Sequence, residues 1–430
     1  MDTRTSRSPA GFEGKAFVLA AFFDGKPTDG GGYVHKVGTL RVLRQLQSPE
    51  LQIVVICGNR EALATVAAHG LKGVFQPRKG LRQWLGELSA MRAVKIYLGR
   101  SLGPRWSPVD RLLVRLGADL VFFAEPDRRA LQVYSRSYIF SILDLAHLEH
   151  PEFPEVSLFG EFERREQLYG DATRRAIAVI TDSEDGRKLV SEQYRVPLSR
   201  IFTAPFLMSS RVAGFVPDEA VASEVRKRYG LSDPYIFYPA QFWAHKNHRY
   251  IVAALRVLRE RYGWAPQAVF CGSDKGALGA VRRYAELAGV SDLVNYCGFV
   301  PDEHIPYLYV GALALVMPTY FGPTNIPPAE AVRLGVPVCY SDLPGFREQM
   351  GKAARYIDLA DPASLAQALQ RIRSEGRPAP ADPGGGSASC EDAEQRYFRV
   401  LEQIIAGFQQ KTLTRAIPPA TLAVGPQRRG

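Results

Sequence analysis

The sequence predicts an α/β protein built from two doubly wound parallel-sheet domains, and three observations carry that prediction. At 430 residues the chain is too long for one ordinary core and comfortable for two. Its apolar runs are continuous rather than alternating, as expected of strands covered by helices on both faces. The runs form two series, each interleaved with helical spacing, on either side of a polar stretch over 209–233.

The first series comprises 17–23, 51–57, 120–123, 138–143, 177–180 and 201–203. The second comprises 235–238, 268–271, 294–297, 312–317, 336–340 and 355–357. Between the later runs lie helical patterns such as 248–261, where Ile251, Ala254, Leu255 and Leu258 share a face, and 364–373, which follows the start signal Asp361-Pro362. This spacing places a first domain over 15–208 and a second over 209–389, with a hinge at 206–214. The stretch 375–389 is rich in Gly, Pro and Ala and reads as a loop, a last helix is expected over 390–411, and 412–430 reads as a disordered tail.

Composition excludes several classes. A hydrophobic share of 46% and a charged share of 23% are those of a globular protein. No run approaches the roughly 20 apolar residues that span a bilayer. The opening 1–15 lacks the apolar region and cleavage site of a secretory signal, so the expected compartment is the cytoplasm. Cys57, Cys271, Cys297 and Cys339 each end or follow an apolar run, no C-x-x-C pair occurs, and buried free thiols are expected. The seven histidines are not spaced as zinc ligands, so no metal is expected. The net charge of +10 is concentrated in 71–115, where ten Lys or Arg face Glu87 and Asp110 alone. Basic residues there alternate with Trp84, Leu85, Leu88, Met91, Ile96, Tyr97 and Trp106, a pattern that fits docking on an anionic membrane surface as well as an ordinary solvated face. Nucleic acid is not an expected partner, because no nucleic-acid-binding signature accompanies the charge.

In open α/β sheets ligands sit at the carboxyl ends of strands, so the loops there carry the candidate site. After the first run, Gly30, Gly31 and Gly32 let backbone approach a ligand at the start of a helix. The loop lacks the G-x-G-x-x-G form of a dinucleotide site, and no nicotinamide cofactor is expected. After the first run of the second series, the loop 239–248 ends at a helix start and carries Gln241, His245, Lys246 and Asn247, a setting in which a lysine faces a diphosphate. After the run 312–317, the loop 318–325 opens a helix through Thr324, Asn325 and Ile326, with helix-start amides available to phosphate oxygens. Glu330 is then read in the first turn, a carboxylate suited to accepting hydrogen bonds from ribose hydroxyls.

Lys246-Asn247, Gly298-Phe299-Val300-Pro301, Tyr309, Pro318-Thr319, Ile326-Pro327, Glu330-Ala331 and Gly335-Val336-Pro337-Val338 fall in the order and approximate spacing of one family. The chain resembles the family-4 retaining glycosyltransferases (glycosyl transferases group 1). The first half resembles them through its glycine loop, Thr181-Asp182-Ser183 and Leu143-Asp144-Leu145 ahead of His150.

The resemblance implies a GT-B fold, two Rossmann-like domains facing across a cleft, with the helix 390–411 packed back on the first. It implies that Lys246 neutralises the diphosphate of a nucleotide-sugar donor, that Glu330 binds its ribose, that Phe299 and Val300 border the base, and that Thr324, Asn325 and Ile326 present backbone to phosphate and sugar. It implies a metal-independent transfer of a hexose, mannose-like by preference, with retention of configuration to a growing cell-surface glycan or lipid-linked acceptor. No cofactor beyond the donor is implied, and the enzyme would work in the cytoplasm or on the inner face of its membrane.

The sequence departs from the family pattern at three places. Gly322 stands where the E-x7-E pattern has its first glutamate, Gln241 where an arginine accompanies the donor lysine, and Leu143-Asp144 where the family has His-Asp. Asp144 remains a catalytic candidate, with His147 or neighbouring His150 replacing the absent histidine. The departures keep open a catalytically inactive sugar-nucleotide-binding subunit and an epimerase or hydrolase on the same frame.

Overall fold

The computed structural model describes residues 16–26, 31–77, 107–207, 212, 214–322, 325–376 and 390–413. Two parallel sheets organise them. The first has seven strands in the order β3-β2-β1-β4-β5-β6-β7. These are β1 (Phe17–Phe23), β2 (Leu51–Cys57), β3 (Lys72–Phe75), β4 (Leu120–Phe123), β5 (Ser137–Ser141), β6 (Ala178–Thr181) and β7 (Ile201–Thr203). The second has six, in the order β10-β9-β8-β11-β12-β13. Its members are β8 (Tyr235–Pro239), β9 (Gln267–Cys271), β10 (Val294–Gly298), β11 (Ala314–Met317), β12 (Val338–Ser341) and β13 (Arg355–Ile357).

The continuous apolar runs read as strands because both faces are covered. Leu120, Val121, Phe122 and Phe123 of β4 and Ala314, Leu315, Val316 and Met317 of β11 are all buried, and every pairing between neighbouring strands is parallel. The strand β3 was not legible in the sequence. Its four residues, KGVF, form an edge strand that is partly exposed, so burial left no continuous apolar signature. Cys297 corrects the expectation of four buried thiols, since it is half-buried on β10, whose residues are all partly exposed, whereas Cys57, Cys271 and Cys339 are buried.

The helix Cys390–Leu413 follows the second sheet in sequence and packs on the first. Tyr397, Leu401, Ile404 and Ile405 join the core around β1 and the helix Gly31–Leu46, Phe408 meets Phe17 edge-on, and Arg41 pairs with Glu394. Burying each such apolar side chain is worth about 1.5–3 kcal/mol at most, which ties this helix to the first domain. The basic aromatic stretch 78–106, most of the hinge stretch 208–213, the loop 377–389 and the tail beyond 413 lie outside the described residues. Among the described residues no helix is long and apolar enough to cross a membrane.

Candidate functional site

In each sheet the strand order reverses beside its first strand, between β1 and β4 and between β8 and β11. Such switch points open a crevice beyond the carboxyl edge. The loops after β8 and β11 border the second crevice and carry Lys246 and Asn325.

The loop after β8 runs from Pro239 into a short turn, Ala244–Lys246. Asn247 then takes a left-handed conformation, φ 53° and ψ 40°, which Asn tolerates better than most residues, and the helix His248–Tyr262 begins. The Tyr238 hydroxyl donates to the Lys246 carbonyl at 2.9 Å, fixing the backbone beneath the side chain. The Lys246 ammonium donates to Asn325 Oδ1 at 3.3 Å, and burial lowers its pKa to about 8. Asn325 is buried and held on three sides, since its Nδ2 donates to the Tyr340 hydroxyl at 2.7 Å and its carbonyl accepts from Gln349 Nε2 at 2.7 Å.

Asn325 is the N-cap position of the helix Ile326–Arg333. Pro327 and Pro328 follow Ile326 and have no N–H, so this helix start offers fewer amides than an ordinary one. More of any charge neutralisation therefore falls to Lys246. Glu330 corrects the sequence reading, because no acidic residue lies in the first turn of this helix. It sits in the second turn, fully buried, and its Oε2 accepts from the Tyr309 hydroxyl at 2.9 Å.

The other donor-side candidates divide. Gly31 and Gly32 begin the helix Gly31–Leu46 across the cleft, where a Cβ on Gly31 would lie 3.8 Å from Ile326. Ile326 packs against Val34, Phe206 and Ala329, so the start of the helix Gly31–Leu46 and the donor helix meet. Phe299 is exposed beyond β10 and Val300 is buried beside it. Gln241 Oε1 accepts from Trp243 Nε1 at 3.1 Å, within its own loop. Thr324 lies outside the described residues.

His245 is turned away from the role of spare cation. Its Nδ1 and its backbone N–H both meet Glu155 Oε1, at 2.6 and 3.0 Å, and its ring stacks on Phe321 at 4.0 Å. Burial lowers its pKa to about 4 against the opposing effect of Glu155, so the imidazole is neutral near pH 7. Glu155 belongs to the first domain and is buried in this contact. No local pattern points to it, since it lies 90 residues from His245.

A cleft of about 430 Å³ opens between the domains, bounded by Asp144, Glu149, His150 and Asp182 on one side and by Phe321 and Gly322 on the other. Asp144 accepts from Arg165 at 2.7 Å and from the Ala146 N–H at 3.1 Å. Burial raises the Glu149 carboxyl above its ordinary value. His150 meets Glu152 at 3.2 Å and stacks on Phe321 at 5.5 Å. His147, a catalytic candidate from the sequence, does not line this cleft. It is fully buried, its Nε2 lies 3.0 Å from Glu166, and Phe162 and Tyr169 pack edge-on against its ring. The short helix Ala146–Glu149 turns His147 inward and brings Glu149 and His150 to the cleft. Gly322 has φ +146°, a conformation that L side chains rarely adopt, and a Cβ there would lie 3.0 Å from Asn325 Oδ1, so a side chain at this position is strained.

Residues 233–375 match the family model described as Glycosyl transferases group 1, and this stretch holds β8 to β13 with Lys246, Asn325 and Glu330. The second domain is similar to the glycosyl transferases group 1. The chain is 27% identical over 199 residues to O-antigen chain mannosyltransferase B of Escherichia coli, covering 46% of this chain and 52% of that protein. It is 29% identical over 130 residues to O-antigen chain mannosyltransferase RfbU of Salmonella typhimurium, covering 30% and 36%. The matched stretches thus span about half of the first of these curated relatives and about a third of the second. Among solved structures, Anabaena HepE in complex with UDP-glucose superposes with a TM-score of 0.64 at 14% identity, over 91% of this chain and 99% of that one. WaaG, a glycosyltransferase involved in lipopolysaccharide biosynthesis, superposes with a TM-score of 0.58 at 16% identity, over 88% and 94%. The two domains together have the GT-B fold.

Proposed function

We propose that this protein is a glycosyltransferase that moves a hexose from a nucleoside diphosphate sugar to a growing cell-surface glycan or lipid-linked acceptor. The observation that carries the reading is the Lys246 ammonium, half-buried at the switch point of the second domain and tethered to Asn325 at a helix start. A cation held there neutralises a departing diphosphate without proton transfer, in a low-dielectric site where the charge acts strongly. This is the basis for reading the transfer as metal-independent. The mannose-like preference rests on the two O-antigen mannosyltransferase relatives, and retention of configuration on the resemblance to family 4.

On the acceptor side the cleft wall carries Asp144, Glu149, Asp182 and Asp185, groups that accept hydrogen bonds from sugar hydroxyls. Asp144 and His150 are the residues we assign to receive the proton of the attacking hydroxyl. Glu330 is fully buried, so its carboxylate must turn toward the cleft to reach the ribose when the donor binds. Work at the inner face of the cytoplasmic membrane, with 71–115 as the docking segment, belongs to the same proposal.

A thermal-shift screen of UDP-, GDP- and ADP-sugars tests the donor, followed by release of nucleoside diphosphate in the presence of lipid-linked acceptors. The reading fails when no sugar nucleotide stabilises the protein. One observation favours a second reading, a sugar-nucleotide-binding subunit without turnover: Gly322, at φ +146°, supplies no carboxylate where the E-x7-E pattern places one by the transferred sugar. Binding without release of nucleoside diphosphate selects it.

A further inference from the structure

We propose that Glu155 of the first domain is a positioning residue for the donor site, holding the Lys246 loop in its working geometry through His245. The inference rests on the reading of Lys246 as the diphosphate ligand.

Glu155 and His245 lie on the connections of different sheets and meet across the interdomain boundary. One carboxylate oxygen accepts from both the backbone N–H and Nδ1 of His245, at 3.0 and 2.6 Å, with the two side chains 7% and 10% exposed. His245 is also the junction of the two donor loops. Its carbonyl accepts from the Tyr320 N–H at 3.0 Å and from Thr319 Oγ1 at 3.3 Å, which ties the loop after β8 to the loop after β11. Its ring stacks on Phe321, which lines the cleft, and the next residue in the chain is Lys246. A shift of Glu155 therefore moves the lysine backbone and the Phe321 wall together.

Glu155 sits on the short helix Pro154–Ser157, flanked by Phe153, which packs against Tyr320 and Phe321. The contact thus forms from the first domain's side and exists only when the two domains are this close. Burial opposes ionisation of Glu155, yet its hydrogen bonds to His245 hold the carboxyl below its ordinary value, so the pair is a carboxylate and a neutral imidazole donating from Nδ1. Closure of the cleft and placement of the donor cation become one event.

The test separates reach from charge. Glutamine at 155 keeps the reach and loses the charge, whereas aspartate keeps the charge and loses the reach. Calorimetric titration of the full chain with UDP, GDP and ADP at pH 7 measures the affinity of the nucleoside diphosphate that binds. The inference expects Glu155→Asp to weaken it by about tenfold or more and Glu155→Gln to stay within about threefold. It also expects Glu155→Asp to cost less when His245→Ala is already present than it does alone, because the alanine has already removed one of the two donors that the carboxylate holds. Glu155→Asp within about twofold of the unsubstituted chain, a Glu155→Gln loss as large as that of aspartate, or additive losses in the double variant would each overturn the inference. An unsubstituted chain that binds none of the three nucleotides instead overturns the donor-site reading itself. Melting curves of every variant accompany the titrations. Should Glu155→Asp unfold at the assay temperature, Glu155→Gln and His245→Ala carry the test: glutamine near native affinity with His245→Ala about tenfold weaker supports it, and any other pattern overturns it.

Discussion

Lys246 Nζ lies 3.3 Å from Oδ1 of Asn325, the N-cap position of the helix that opens the second half of the candidate donor site. The contact joins the loop after β8 to the loop after β11 across the switch point of the sheet. A neutral amide oxygen offsets little of the cost of burying an ammonium, and burial outweighs the attraction of the Asp144 and Glu155 carboxylates, so the site holds a cation suited to an incoming anion.

Lys246→Met should separate stability from binding. Nucleoside diphosphate affinity should fall at least about tenfold, since a hydrogen bond to a charged partner is worth about 1.5–3 kcal/mol. The ligand-free variant should melt at or above the temperature of the unsubstituted chain at pH 7. Because burial lowers the folded-state value to about 8, the unfolded chain binds more protons between there and its own higher value. The stability penalty is therefore full below pH 8 and fades as pH rises above it. Affinity for the anionic donor should decline over the same rise, and titrations between pH 7 and 9 check both signs.

His147 and His150 should behave oppositely when replaced by alanine. His147→Ala removes a buried ring bonded to Glu166 and packed on Tyr169, so it should lower the melting temperature by several degrees, at a cost of about 2–4 kcal/mol. His150→Ala should leave the melt nearly unchanged and lower transfer on the order of a hundredfold, as loss of a proton-transfer group does. Melting curves and turnover with the identified donor check the pair.

Acid should destabilise the fold through its buried histidines. Burial lowers His35 and His248 to about 3 and His245 to about 4. Each folded-state value lies below the ordinary 6.5, so the unfolded state takes up protons first as pH falls. The stability is fully present above pH 6.5 and is lost on the way down to the folded value. His248 stacks on Phe242 at 4.3 Å, and His248→Phe should remove about one proton, about 1.4 kcal/mol per pH unit, from the slope of stability between pH 6 and 4. Denaturant titrations across that range measure it.

Gly272→Ala should disturb the donor loop from the neighbouring strand. Gly272 has φ +145°, and a Cβ there would lie 2.5 Å from the Ala240 carbonyl oxygen, at the root of the loop that carries Lys246. Strained backbone of this kind costs about 1–3 kcal/mol, and relief requires the Ala240 backbone to move. A lower melting temperature together with weaker nucleoside diphosphate binding is the expected outcome.

Much of the architecture was legible in the sequence for physical reasons. Continuous apolar runs such as 120–123 mark strands covered on both faces, and these are the strands the structure contains at that position. The edge strand Lys72–Phe75 left no such mark, since an edge strand half in water needs no continuous apolar run. In the site, Lys246 stood out because a lysine between a buried strand and a helix start has few structural uses. His147 was read as a cleft residue because one-dimensional spacing does not say which way a four-residue helix turns its side chains. Glu330 was placed one turn early because the start of its helix depends on where Asn325 is anchored.

The sequence by itself determined the alternation of strand and helix, the two-domain division of the core and the residue types on the loops at the carboxyl edges. These follow from local periodicity and from the chemistry of helix starts. Tertiary structure alone decided which loops meet. The strand orders place Lys246 beside Asn325, and the packing of one domain on the other places Glu155 on His245 and leaves His150, not His147, facing the cleft. Contacts between residues 79 and 90 positions apart depend on how sheets close and domains dock, and no local pattern in the chain encodes that distance.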